Sequence, residues 1–338
     1  MSAPPASPEI ASAPAYASPQ PAGSRAPRDW LPGAALSVGL AAVLVATAMH
    51  AGGGLQLGPL TTVTTGLDVL AGVLCIIALL AAPEAERPWG VVSLGLFAAL
   101  ATLTGLSITW AISPDAAWVE TNRTLTWLLL FAAGGALARL GPGRWRALLA
   151  GVLLASVAIS FYALLTKVFP GTLAEDETYA RLREPFGYWN AVGLMAAMGI
   201  PIALWMGARH EGHAAFAALA YPAIGLLVTT ILVAYSRGAI VACAVGLAFW
   251  FAAVPMRLRA AAVLVPSAAV GVLTAIWAFG QSGLSDDNVE LALRSDAGSE
   301  FAVLLGVMLL LLTLIGLVVN WHRDRRLWPA RRVPAPAA

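Results

Sequence analysis

Charge is scarce in this chain. Asp, Glu, Lys and Arg make up 11% of its 338 residues, less than half of the ~25% usual in soluble domains. So thin a polar supply excludes a water-soluble globular enzyme, a disordered protein and a nucleic-acid binder, the last of which needs a basic face. Cysteine is nearly absent as well. Cys75 and Cys243 each lie inside an apolar run with no Cys or His at ligand spacing. That argues against a disulfide framework or a zinc site, and we expect neither a metal nor a cofactor.

Apolar surface is abundant instead, at 59% of residues against a usual ~45–50%. A hydrocarbon core ~30 Å thick takes about 20 helical residues to cross. Apolar runs lie at about 31–50, 62–82, 89–112, 124–140, 146–167, 190–207, 214–235, 239–256, 260–280 and 300–320. Ten spans consume roughly 200 residues, and the remainder, spread over tails and connections, leaves no room for a folded soluble domain. The expected fold is all-α: a polytopic transmembrane helix bundle of about ten spans. Residues 1–29, rich in Pro and Ala, read as a disordered tail and not as a secretory signal. Residues 30–320 form the bundle, and 321–338 a basic tail.

The seventh and eighth runs need a turn between them. From Ala214 to Met256 the only charge is Arg237. One helix of that length would reach roughly 65 Å, about twice the hydrocarbon core. Ser236-Arg237-Gly238 is the expected fold-back, with Gly238 in a left-handed conformation.

Ten spans sort the charges. With a cytoplasmic N-terminus, the outer connections hold Arg123, Lys167, Arg181, Arg183, Arg237 and Arg294, and the remaining 14 basic residues lie inside. This satisfies the positive-inside rule and puts both termini in the cytoplasm. Most carboxylates fall outside, among them Asp286, Asp287 and Glu290 in SDDNVELALRSDAGSE. A solvated acidic loop with a short amphipathic helix is the plainest reading of that stretch. A general base or a divalent-cation site are the alternatives.

The most informative connection is FPGTLAEDETYARLREPFGYWN, which runs into an apolar helix near Asn190. Arg181 and Arg183 precede a Pro185-Phe186-Gly187 turn, and Asn190 is placed to cap the helix. Tyr188 and Trp189 also suit an interfacial aromatic belt, and arginines at helix ends also meet lipid headgroups. Asp68, a few residues into the second span, calls for a partner such as an outer arginine. Pro201, Pro222 and Pro266 are expected to bend their helices.

RLREPFGYWNAVGLMAAMGIPIALW, followed by AYSRGAIVACAVGLAFW, resembles the O-antigen ligase and O-antigen polymerase superfamily. GLSITWAISPDAAWVETNRTLTWLLLF is similar to an earlier region of that family, so the resemblance covers about residues 89–256. It implies an enzyme of the plasma (inner) membrane that transfers or polymerises glycans carried on a polyprenyl diphosphate at the outer face. Arg181 then matches the motif arginine before Pro-Phe-Gly, and Arg237 the arginine of Ser-Arg-Gly. Both would hold the diphosphate, with Arg183 and Arg123 on the same face and Asn190, Ser236 and Asp68 in support. The helices from 190 to 256 would line a groove for the lipid.

One departure concerns the base. The family carries a histidine on a large outer loop, whereas here His210, His213 and His322 fall on the cytoplasmic side and His50 ends the first span. No catalytic base is assigned. The chain resembles the front half of a longer member, so the expected partners are the bilayer, the lipid-linked glycan and a second chain supplying the rest; alternatively, outer carboxylates serve as base. Two other functions stay open. One is a transporter or flippase for a lipid-linked or small anionic substrate, although no internal repeat is evident. The other is a non-catalytic membrane partner subunit.

Overall fold

A computed structural model describes residues 31–54, 56–81, 90–139, 144–209 and 214–327. The expected tails at 1–29 and 328–338 lie outside the described residues. Within them the chain is helical, with no strand.

The apolar runs become helices in order. They are α1 (Leu31–His50), α2 (Leu57–Ala81), α3 (Val91–Ser107), α4 (Pro114–Arg139) and α5 (Arg144–Val168). A short α6 (Pro170–Leu173) precedes α7 (Trp189–Ala208), α8 (Ala214–Ala218) and α9 (Ala220–Val233). Then come α10 (Arg237–Ala253), α11 (Arg257–Phe279), the short α12 (Ser282–Ser285) and α13 (Leu291–Leu327). Seven of these segments are long and apolar enough to cross a membrane: α1, α2, α5, α7, the α8–α9 pair, α11 and α13. Helices α3 and α10 have 17 residues each, and α4 carries Asp115, Glu120 and Arg123 in its first half.

Local chemistry sets the breaks. Pro114 starts α4 at the position where its missing N–H costs nothing, and Asp115 suits the positive helix end. Pro222 cannot donate to the carbonyl of Ala218, so α8 stops there and α9 begins after Leu219. The fold-back after α9 falls where expected, but its left-handed residue is Tyr235 (φ 52°), and Gly238 is an ordinary helical residue. Ser236 sets this arrangement by capping α10, which makes 237–240 the first turn of the helix.

One helix exceeds its expected length. The apolar run at 300–320 extends in both directions into a continuous 37-residue α13, about 55 Å long at 1.5 Å per residue. The acidic stretch after Glu290 is thus the first turns of this helix, and the start of the expected basic tail is its last turn.

The core lies among α5, α7, α9, α11 and α13, where Tyr221, Phe301, Leu204, Ile224 and Leu312 are fully buried. Small residues let these helices approach closely, as is usual where lipid removes the hydrophobic drive for helix association. A Cβ on Gly199 would meet Ser156 and Leu227 at 2.9 Å, and one on Gly207 would meet Ala220 at 2.9 Å. Gly316 of α13 lies against the Ala218 carbonyl that Pro222 leaves without a helical donor. By contrast α1 to α4 expose Val, Leu and Ile around much of their circumference, as lipid-facing helices do. Helix α1 packs on α5, and α2 and α3 pack on α4, while α1 and α2 barely touch.

Gly316→Ala therefore puts a Cβ at 2.5 Å from the Ala218 oxygen. It should cost about 1–3 kcal/mol, as overpacking does. Gly306→Ala on the same helix meets nothing within 4 Å and should stabilise by about 0.5–1 kcal/mol. Thermal unfolding in detergent checks both; equal midpoints would contradict the close approach.

Candidate functional site

One end of the bundle gathers every sequence motif. The loop between α6 and α7 is braced from within. Arg183 donates from Nε to the Gly187 carbonyl at 3.2 Å and from Nη1 to Glu177 Oε1 at 3.2 Å, and it stacks over Tyr179 at 5.0 Å. Leu182, the residue before it, is buried in the core. The Glu184–Pro185 peptide is cis, and Gly187 sits at φ +65°, a conformation open to glycine. Arg183 is thus a positioning residue for the turn, and its charge is answered by Glu177.

The same loop is held from outside. Asp287 accepts from the Ala180 N–H at 2.7 Å, and Asn288 N–H donates to the Thr178 carbonyl at 2.7 Å. Arg294 of α13 donates to the carbonyls of Ala174 at 2.7 Å and Glu175 at 3.3 Å. The acidic stretch is therefore a docking surface for the turn loop, and Asp287 is engaged in holding it. Among the described residues no group of His, Cys, Asp and Glu is arranged to hold a metal ion.

The turn also rests on the α1–α2 connection. Gly53 (φ +69°) faces the Phe186 carbonyl so closely that a Cβ there would lie 1.7 Å from its oxygen. His50, at the end of α1, is on this same side. Its Nδ1 lies 2.8 Å from the Ala46 carbonyl, and because a carbonyl only accepts, Nδ1 is the donor in that contact.

The two arginine motifs meet at α7 and α10. Asn190 does not cap α7: the N-cap is Tyr188, with no side-chain capping bond. Asn190 bridges the motifs instead, donating from Nδ2 to the Tyr188 hydroxyl and accepting at Oδ1 from Ser236 Oγ at 2.9 Å. The Ser236 oxygen in turn accepts the Ala239 N–H at 3.1 Å. Gly193 allows this approach, since a Cβ there would meet Ser236 and Ala239 at 2.8 and 2.9 Å.

The four arginines expected to bind substrate now separate. Arg183 and Arg123 are neutralised, the latter by Glu120 at 2.8 Å. Arg181 is exposed and lies over the Trp189 ring at 4.7 Å, with no carboxylate partner among the described residues. Arg237 is exposed in the first turn of α10 and makes no hydrogen bond or ion pair among the described residues. A cation there adds to the positive helix end, which favours an anion in front of it. Beside them Tyr235 packs on Phe279 at 5.1 Å. Burial first, then the Asp286 and Asp287 carboxylates, raise its phenol above the ordinary value, while Arg181 acts in the opposite direction. Tyr235 therefore stays a neutral hydroxyl.

A large apolar groove opens beside this cluster. It measures about 980 Å³ and is walled by α1, α2, α4 and α5, with Leu40, Leu67 and Leu130 among its lining. Arg123, Phe186 and Tyr188 close its polar end. The expected groove along 190–256 is not the large one, because α7 and α9 face inward into the core and only Ala191 of α7 reaches the cavity. Asp68 also departs from expectation. Its Oδ1 is buried without a hydrogen-bond partner, and no ion pair joins it to an arginine among the described residues.

Lys167, Arg294, Tyr235 and Gly53 escaped the sequence reading as site residues. The first two carried one signal, their place among the few outer cations, and Tyr235 carried another, its place directly before Ser-Arg-Gly; Gly53 carried none, because its role depends on contact with a distant segment.

Ser236→Ala removes both the cap and the partner of Asn190, and should cost about 1–3 kcal/mol in thermal unfolding. Gly53→Ala should lower stability while leaving helix content intact, and a wild-type melting curve would contradict the contact with Phe186. No family model, no curated protein and no solved structure matches the chain.

Proposed function

We propose that this chain binds a glycan carried on a polyprenyl diphosphate and takes part in its transfer or polymerisation at the outer face of the plasma membrane. In this reading ten helices cross the bilayer, with both termini cytoplasmic. The end that carries the Pro-Phe-Gly turn faces outward. The opposite end, with Arg144, Arg146, Arg209, Arg257 and Arg259 at helix starts and ends, faces the cytoplasm, as the positive-inside rule favours.

The observation that carries the proposal is the pairing of the two motifs. The Asn190–Ser236 hydrogen bond ties the Pro-Phe-Gly turn to the Ser-Arg-Gly turn, and the two exposed arginines of those turns are the ones without a carboxylate partner among the described residues. In glycan transfer an acceptor hydroxyl attacks the anomeric carbon and the lipid diphosphate departs. Negative charge then builds on the diphosphate oxygens, which guanidinium groups meet bidentately. The groove of about 980 Å³ offers an apolar bed for the lipid chain, with its polar end at Arg123 and Tyr188.

Each of Arg181→Ala and Arg237→Ala should weaken binding of a labelled polyprenyl-diphosphate glycan about tenfold to a hundredfold, the effect of losing one hydrogen-bonded charge. Arg183→Ala should instead lower the unfolding midpoint. Unchanged binding in both of the first two variants would remove the proposal, and substrate uptake into vesicles without glycan transfer would favour a transporter.

A further inference from the structure

Two buried cations form no ion pair among the described residues. Lys167, at the end of α5, is 8% exposed, and Arg294, in the first turn of α13, is 9% exposed. The ion pairs among the described residues join Arg123 to Glu120 and Arg183 to Glu177, and neither includes these two. Arg294 directs its Nη atoms at the carbonyls of Ala174 and Glu175, which are neutral acceptors. Lys167 makes no hydrogen bond among the described residues.

Both line one small cleft with Arg181, Arg183, Glu177 and Glu184. Four cations thus meet two carboxylates, and the lining carries an excess charge of +2. Thr166 also faces the cleft, but it donates its hydroxyl proton to the Ala163 carbonyl at 2.7 Å. Buried cations in excess over the carboxylates around them destabilise a fold, and a bound anion offsets that cost.

Size and charge select the anion. The cleft volume is about 10 Å³, close to that of one water-sized sphere. Most of a polyatomic ligand would therefore lie at the mouth, where Arg181 is exposed. A phosphoryl group carries about −1.5 to −2 near neutral pH and matches the excess, whereas chloride or a carboxylate supplies only one charge. We propose that Lys167 and Arg294 form an anion site that takes one oxygen of a phosphoryl group, with Arg181 meeting the rest of that group at the mouth. The site stands whether or not the chain transfers glycans, and its phosphoryl group comes from free phosphate or from a lipid headgroup.

The chain's only lysine is Lys167, so its acylation by an amine-reactive reagent, slow because the cleft must open to admit it, is read by peptide mapping of the intact detergent-solubilised protein. Sodium pyrophosphate at ten times its half-protecting concentration should slow that labelling about tenfold by mass action. Arg294→Gln should abolish the protection, and Arg257→Gln, at the opposite end, should keep it. Phosphatidic acid vesicles compared with phosphatidylcholine vesicles identify a lipid source, and protection by either source supports the site. The unfolding midpoint gives a second reading: it should rise with pyrophosphate in the wild type and stay fixed in Arg294→Gln. Equal protection by chloride or acetate would overturn the phosphoryl assignment. Labelling and midpoint both indifferent to phosphate, pyrophosphate and phosphatidic acid would overturn the site itself.

Discussion

The hydrogen bond from Ser236 to Asn190 organises this molecule's functional end. It spans two segments far apart in sequence, and it forms only because Gly193 lets the start of α10 reach the start of α7. Ser236 has two tasks, since its oxygen also caps α10. The cap settles where α10 begins and so puts Arg237 in its first turn. Asn190 passes the constraint to Tyr188 and to the turn that ends at Gly187. Arg181 and Arg237 consequently belong to one structural unit although 56 positions separate their numbers.

That unit is stiffened by charges that are already answered. Arg183 holds the turn through Glu177 and the Gly187 carbonyl, while Asp287 and Arg294 fasten the loop to the segment before and within α13. Arginines of the same face therefore do different work. Arg183 and Arg294, with carboxylate or carbonyl partners, shape the loop, whereas Arg181 and Arg237 have neither kind of partner among the described residues. Cations of the second kind suit pairing with developing negative charge, which guanidinium groups meet directly.

Much of the helix order is legible in the chain because lipid imposes a simple rule: a long apolar run is a helix, and a run too long for the bilayer must turn. The turn at Ser236 and the break before Pro222 follow from that rule and from proline chemistry. The groove position is not legible, since it depends on α1 and α2 splaying apart and on glycines that close α7 against α9. Asn190 illustrates the same limit. Its sequence position suggests a cap, yet its side chain is drawn to Ser236 across the bundle. The continuity of α13 was hidden by the acidic residues before Glu300, which look like a loop until Arg294 and Asp287 are seen docking the neighbouring segment. Composition reveals that cations are few; only tertiary contacts reveal which are already paired.

The most direct test is a double-mutant cycle on Asn190 and Ser236, read as affinity for a polyprenyl-diphosphate probe. If the hydrogen bond unites the two arginine turns into one binding unit, Asn190→Ala and Ser236→Ala each weaken binding, and the double variant is no weaker than the weaker single one. Losses that simply add, or affinity unchanged in both single variants, would contradict the account.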